Sequence, residues 1–425
     1  MLQTTISSKQ FEILKFPYMK DYDALICDGA IRSGKTVFCS ISFIIWAMSK
    51  FNNCNFGICG KTIASCERNL IKPLMQIDYL RNEFTLKYNK QSSLLTITRG
   101  HKKNYFYLFG GRDESSYQLI QGITLAGILF DEVALMPKSF VEQGTARCSV
   151  EGSKYFFNCN PSDPNHFFKK EWIDDLENKN AHYLHFTMDD NPSLSEKIKD
   201  RYKSLYSGVF YQRYIEGKWV SAEGSIYREL TEHIDEYLVD EYPNNFMMII
   251  NGIDFGGTKS SDAFVTIGIT KGFKQVYILE SKQIVLEGNP ITSDELNKRF
   301  IEYSKMIENK YKMTTITYCD SAEPKLIESL RVACIKAKSK TLIKNAKKSE
   351  IIERIKCTLT LIKQHRLKIL RHNKAMIKAL NDAKWDDKKS TPEKDVRLDD
   401  FSYCVDLLDA FEYCFERYIS NIMMA

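Results

Sequence analysis

Apolar residues fall in short uninterrupted runs, and the spacing between runs changes near the middle of the chain. In the first half, Ala24–Asp28, Asn55–Cys59, Ala126–Phe130 and Lys154–Asn158 predict buried strands. Helical spacing over 34–49 and 63–80 separates them, and Leu94–Thr98 and Tyr105–Phe109 alternate like a hairpin. Strands alternating with helices predict an α/β unit whose mostly parallel sheet is covered on both faces. The stretch 217–241 is turn-rich and then acidic, so we expect domains at 1–220 and 245–425 with a linker at 221–244. The second half reads differently. Phe246–Asp254, Ala263–Lys271 and Gln275–Ser281 predict an antiparallel meander. A helix over 293–310, strand Thr314–Cys319, a helix over 349–364 with Ser349 as N-cap, strand Leu367–Leu370 and a closing helix over 400–417 complete a mixed sheet.

Composition narrows this picture without changing it. The 425 residues, 44% of them apolar, are enough for two or three cores. A net charge of +6 permits a polyanionic partner and does not establish one. Twelve cysteines without a CxxC pair or zinc-like spacing suit free thiols in a reducing cytosol. No basic-then-apolar leader opens the chain, and its most apolar stretch, Val37–Met48, is too short to cross a bilayer, so no membrane partner is expected.

Candidate chemistry sits at strand ends. Gly29-Ala-Ile-Arg32-Ser33-Gly34-Lys35-Thr36 fits the phosphate-loop pattern GxxxxGK[ST], follows an apolar strand and opens an apolar helix. Such a loop points backbone N–H groups and a helix N-terminus at phosphates; Lys35 would reach them and Thr36 would offer a hydroxyl to Mg²⁺. The run Ile128-Leu-Phe-Asp131-Glu132 puts two acids at the carboxyl edge of a buried strand. There Asp131 would hold Mg²⁺ and Glu132 would orient water. Gln10 is a candidate reader of an adenine edge, and Asn160, in the run Asn158-Cys-Asn160-Pro161, a candidate γ-phosphate sensor. Arg32 or Arg147 is a candidate for contacting nucleotide, in cis or in a neighbouring subunit.

In the second half the acids form a set. Asp254 stands near the end of the first strand and is followed by glycines, and Asp320 lies just past a later strand. Asp406 and Asp409, three apart, share one helical face. Two-metal phosphodiester cleavage requires several carboxylates on closely spaced ions. The order of elements is that of RNase H-like nucleases. Lys282, Lys325 and Arg397 are candidates for tracking a nucleic-acid backbone.

Taken together, GAIRSGKT, ILFDEV, FNCNP, GKWVSAEGSIY, GIDFG, YCDSAEPK and DLLDAFEY resemble the motifs of the large terminase subunits of tailed phages, especially the group typified by PBSX and SPP1. The resemblance implies a P-loop ATPase followed by an RNase H-like endonuclease. It implies ATP with Mg²⁺, and Mn²⁺ in the nuclease site, where Asp254, Asp320 and Asp406 or Asp409 would bind metal. It further implies duplex viral DNA as substrate, a small terminase subunit and a portal as partners, a homo-oligomeric ring on the procapsid, and action in the host bacterial cytoplasm. Relatives often carry His where Asp406 stands; an acid there is a harder ligand and still suits Mg²⁺ or Mn²⁺. The alternative is a P-loop DNA helicase or translocase without nuclease activity.

Overall fold

The computed structural model describes residues 6–256, 261–285, 292–386, 395–400 and 403–425. Gly257, in the glycine pair after Asp254, and residues 401–402 of the expected last helix lie outside them. The chain divides into two compact units. One is built on Met1–Lys203 and Val209–Ser221; the other is built on Ser204–Gly208, Ala222–Ser390 and Lys394–Ala425.

The first unit is organised by an eight-stranded sheet of order β3-β4-β5-β2-β6-β7-β1-β8. Its strands are β1 (Ala24–Gly29), β2 (Asn55–Gly60), β3 (Thr85–Asn89), β4 (Leu94–Arg99), β5 (Lys102–Gly110), β6 (Gly127–Asp131), β7 (Lys154–Asn158) and β8 (Ala181–Phe186). From β5 to β8 the neighbours are parallel; β3, β4 and β5 run antiparallel at one edge. Alternation explains why a continuous apolar run makes an inner strand. Phe156 of β7 joins the core beneath the Lys35–Lys50 helix with Phe16, Phe43 and Trp46. Its neighbour Phe157 points into the opposite core with Phe130, Phe168 and Trp172.

The second unit carries a seven-stranded sheet of order β14-β13-β10-β11-β12-β15-β9. Its strands are β9 (Leu238–Val239), β10 (Phe246–Asp254), β11 (Ser261–Thr270), β12 (Val276–Val285), β13 (Thr315–Cys319), β14 (Leu342–Asn345) and β15 (Leu367–Leu370). The meander β10-β11-β12 is antiparallel, and the remaining pairings are parallel. The mixed sheet matches the expected fold class.

Four local expectations need correction. The helix expected over 63–80 is broken into Ile63–Cys66, a π-turn Glu67–Ile71, Lys72–Leu74 and Asp78–Glu83, with Pro73 among the pieces. The closing helix is shorter than expected, Val405–Phe415. Ser349 caps no helix: the Ile351–Lys363 helix starts after Glu350, and the Ser349 hydroxyl donates to Glu416 Oε2 at 2.9 Å. Much of the stretch read as a linker is ordered with the second unit, where Tyr227, Leu230 and Tyr237 are fully buried and β9 pairs with β15.

Candidate functional site

The carboxyl ends of β1, β6 and β7 bring the candidate nucleotide residues together. Gly29 (φ 122°) and Gly34 (φ 91°) take backbone conformations that a side chain would strain, and they bend the chain around the loop. A Cβ on Gly29 would lie 2.0 Å from the Phe186 carbonyl oxygen, so β8 can pack against this loop only if residue 29 is glycine. Lys35 is buried and its ammonium is folded into the loop. It donates to the carbonyls of Gly29 (3.0 Å) and Ala30 (2.6 Å), to Ser33 Oγ (3.2 Å) and to Asn160 Oδ1 (3.4 Å). Burial lowers its pKa. The Thr36 hydroxyl donates to Asp131 Oδ1 at 3.1 Å, linking the helix that follows β1 to the end of β6. Burial raises the Asp131 pKa, against the Asn158 amide, the Thr36 hydroxyl and the Lys35 charge.

Glu132 follows in a left-handed conformation (φ 60°), its N–H donating to Asn158 Oδ1 at 3.3 Å. Arg32, also left-handed at φ 61°, lays its guanidinium over the Tyr202 ring at 5.0 Å. Gln10 is buried against the same loop. Its Oε1 accepts from the Ser7 N–H in a capping box, and its Nε2 donates to the Ser33 carbonyl at 3.2 Å. One end of that amide thus caps its own helix and the other braces the loop.

Sequence reasoning missed what lies behind the loop. Asp28, fully buried, faces His185 Nδ1 at 2.9 Å and accepts from the Trp219 indole N–H at 2.7 Å. Gly217 (φ 71°) sits so close that a Cβ would be 3.0 Å from the Ala30 nitrogen. Trp219 stood within a quoted motif, but an apolar residue in a turn carries no sign that it donates to a strand about 190 positions earlier.

In the second unit the four aspartates converge. Asp254 ends β10, and the Asp320 N–H donates to the Ile253 carbonyl at 2.9 Å, which places Asp320 beside it. The Val405–Phe415 helix lies directly on β10: a Cβ on Gly252 would be 1.8 Å from the Ala410 carbonyl oxygen. That contact carries Asp406 and Asp409 to the same place. Burial, together with the charges of Asp409, Asp320 and Asp406, holds the Asp254 carboxyl well above the usual carboxylate range, while Lys348 opposes the shift.

Neighbouring donors hold the other three acids. Asp320 Oδ1 pairs with Lys348 Nζ at 2.5 Å. Asp406 Oδ2 accepts from the Ser261 N–H (2.9 Å) and hydroxyl (2.8 Å). Asp409 Oδ1 accepts from Arg354 (2.9 Å) and Arg397 (2.7 Å), which also pair with the fully buried Glu412. Arg397 is therefore no DNA-tracking residue. It is 3% exposed, and Glu412 and Asp409 raise its pKa although burial works against its charge. Lys282 and Lys325 are exposed.

Among the described residues, no three His, Cys, Asp or Glu side chains stand ready to hold a metal ion. The donor chemistry nonetheless fits a hard divalent cation: four carboxylates converge, and among the described residues no donor reaches the Asp254 carboxyl. Without such a cation, mutual repulsion favours the turning of each remaining carboxylate to a local donor.

The family model for the terminase large subunit, T4likevirus-type, N-terminal, matches residues 26–233. A comparison with curated proteins gave no match. Among solved structures, the large terminase of a thermophilic bacteriophage is 38% identical, with a TM-score of 0.84 over 98% of this chain and 99% of that one. The same phage protein in complex with ADP gives 38% identity and a TM-score of 0.82 over 98% and 100% of the two chains. Its complex with ATP-gamma-S gives 37% and 0.81 over 96% and 98%. With that similarity extending over nearly its whole length, the chain belongs to the terminase large-subunit family.

Proposed function

We propose that the first unit, residues 1–220 in the sequence reading, hydrolyses ATP to drive duplex viral DNA into a procapsid, and that the second, residues 245–425, cuts concatemeric DNA with divalent metal ions. The observation that carries the ATPase half is the meeting of Thr36 with Asp131, 95 positions apart, beside an inward-folded Lys35. The complexes of the thermophilic phage's terminase with ADP and ATP-gamma-S support a nucleotide there.

In this reading Lys35 exchanges the Gly29 and Ala30 carbonyls for the β- and γ-phosphates, and the Gly29–Gly34 backbone, with Arg32 and Ser33, cradles them. Thr36 and Asp131 hold Mg²⁺, and Glu132 orients the attacking water. Asn160, 3.4 Å from the Lys35 ammonium, registers loss of the γ-phosphate. Gln10 reads the adenine edge with the amide proton its structural bonds leave over.

Asp254, Asp320 and Asp409 are the principal acids of the cleavage site. Asp406 adds its free oxygen. Bound Mg²⁺ or Mn²⁺ would supply charge neutralisation and an activated water. Arg354 and Arg397 fix the Asp409 carboxylate, and Lys348 holds Asp320. The family reading adds a small terminase subunit, a portal, a ring of identical subunits and the host cytoplasm, within the PBSX/SPP1-like group.

A paired measurement tests both halves. Lys35→Ala should abolish nucleotide turnover and leave Mn²⁺-dependent plasmid cleavage; Asp320→Asn should do the reverse. Turnover at the wild-type rate in Lys35→Ala, or undiminished cutting in Asp320→Asn, sinks the corresponding half.

A further inference from the structure

Positions 329–349 carry Arg331 and six lysines but no acid: seven positive charges, against a net of +6 for the whole chain. The basic excess of the molecule therefore resides in one short segment. It contains β14, an edge strand of the second sheet, which among the described residues pairs with β13 alone. The register sets Asn345 of β14 opposite Cys319, so the strand points toward Asp320. Lys347 and Lys348 come next, and Lys348 reaches the Asp320 carboxylate.

Lys336, Lys338, Lys340, Lys344 and Lys347 are all exposed, and none pairs with an acid within 4 Å among the described residues. Three acids beside the run are already engaged. Glu308 accepts from the Ser339 hydroxyl, the Lys340 N–H and the Ser304 hydroxyl. Glu328 pairs with Arg331. Glu416, 2% exposed, accepts from the N–H groups of Lys347, Lys348 and Ser349 and locks that turn, with Lys348 left-handed at φ 52°. Lysines on an edge strand can simply discourage sheet-to-sheet association. That role needs charge on the strand, where only Lys344 lies; the others flank it at both ends.

We propose that this edge, Lys336 to Lys347, is the surface on which the backbone of duplex DNA lies as it is led into the aspartate cluster. The inference rests on the proposed DNA-cleaving function and adds the path. A strand of four residues covers roughly 13 Å, over which a duplex presents about eight phosphate charges on its two strands, so the phosphates on its facing side are spaced closely enough to meet successive lysines. The fixed turn at Lys347–Ser349 ends the path at the carboxylates. Lys348 is the boundary between the surface that attracts phosphate and the acids that repel it.

The experiment measures duplex binding by the full chain against salt concentration, with Ca²⁺ replacing the cleavage-supporting ions. It compares wild type, Lys336→Gln/Lys338→Gln/Lys340→Gln/Lys344→Gln, and a control set of exposed lysines elsewhere in this unit, Lys271→Gln/Lys274→Gln/Lys374→Gln. The test variant should lose about three to four from the slope of log affinity against log salt, and bind at least tenfold more weakly near ~0.1 M salt. The two pairs, Lys336→Gln/Lys338→Gln and Lys340→Gln/Lys344→Gln, should each give intermediate slopes. The thermal unfolding of the second unit should be unchanged, which shows that the unit carrying the substitutions is folded, and nucleotide turnover without DNA should be unchanged as well. An unchanged slope in a test variant whose wild type binds duplex, or an equal loss in the control set, overturns the path and leaves the nuclease reading standing. A wild type that binds no duplex at low salt overturns both.

Discussion

His166 is 2% exposed, and its ring is packed against Phe167. Its Nδ1 accepts the Phe168 N–H at 3.1 Å, which requires the neutral imidazole. Burial pushes its pKa from 6.5 down to about 4, more than the Ala134 carbonyl and Asp163 restore. The sign follows from linkage. Above pH 6.5 the ring is neutral folded or unfolded; between 6.5 and 4 only the unfolded chain gains the proton, so stability falls with pH. We expect a loss of about 3 kcal/mol from this group across that window. His166→Gln should be flatter there in a pH series of thermal unfolding; a parallel slope counts against it. The same unit offers a second test. Trp219→Phe takes one donor from the fully buried Asp28 and should cost about 1–3 kcal/mol by denaturant unfolding, whereas a cost near zero means that Asp28 is satisfied by its remaining partners, His185 and Tyr183.

At the scale of elements, Gly252 decides whether the aspartates meet. The Val405–Phe415 helix rests on β10 with the Ala410 carbonyl where a Cβ would be, and neither backbone can yield. Gly252→Ala should therefore lift the helix, destabilise the second unit by about 1–3 kcal/mol or more, and abolish metal-dependent cutting while nucleotide turnover persists. Full cleavage by that variant would show that the helix need not touch the strand.

Legibility from sequence follows the same divide. Strands such as Lys154–Asn158 and Leu367–Leu370 were readable to the residue, because their apolar residues stand in short runs between polar, turn-prone segments. β3 and β8 were missed, because polar residues break their apolar pattern: Thr85, Lys87 and Asn89 in β3, His182 and His185 in β8. Asp254 and Asp320 were readable because strand ends collect acids, and Asp406 and Asp409 because a spacing of three puts them on one helical face. Lys348 was not, since one lysine among several carries no mark of the acid it meets. Arg397 was misread as a surface residue for a related reason. Asp409 and Glu412 share a helical face beside buried Leu408 and Phe411, and that pairing in an apolar setting was the available signal that cations must be buried opposite.

For the molecule as a whole, two units with separate cores and separate sites should respond separately to their ligands. A ligand present at 100 times its dissociation constant stabilises the unit that binds it by about 2.7 kcal/mol. ADP should stabilise the first unit and lose that effect in Lys35→Ala; Mn²⁺ should stabilise the second. Asp254 makes the second case sharper, because its carboxyl is buried among Asp409, Asp320 and Asp406 and its ionised form is held there at a cost. Asp254→Asn removes that cost. In chelator the variant should unfold at a higher temperature than wild type, and in Mn²⁺ the order should reverse, because the wild type alone keeps the full set of charged ligands. A variant less stable than wild type in chelator would mean that Asp254 is already satisfied without a cation, and the cluster would then be a structural network rather than a metal centre.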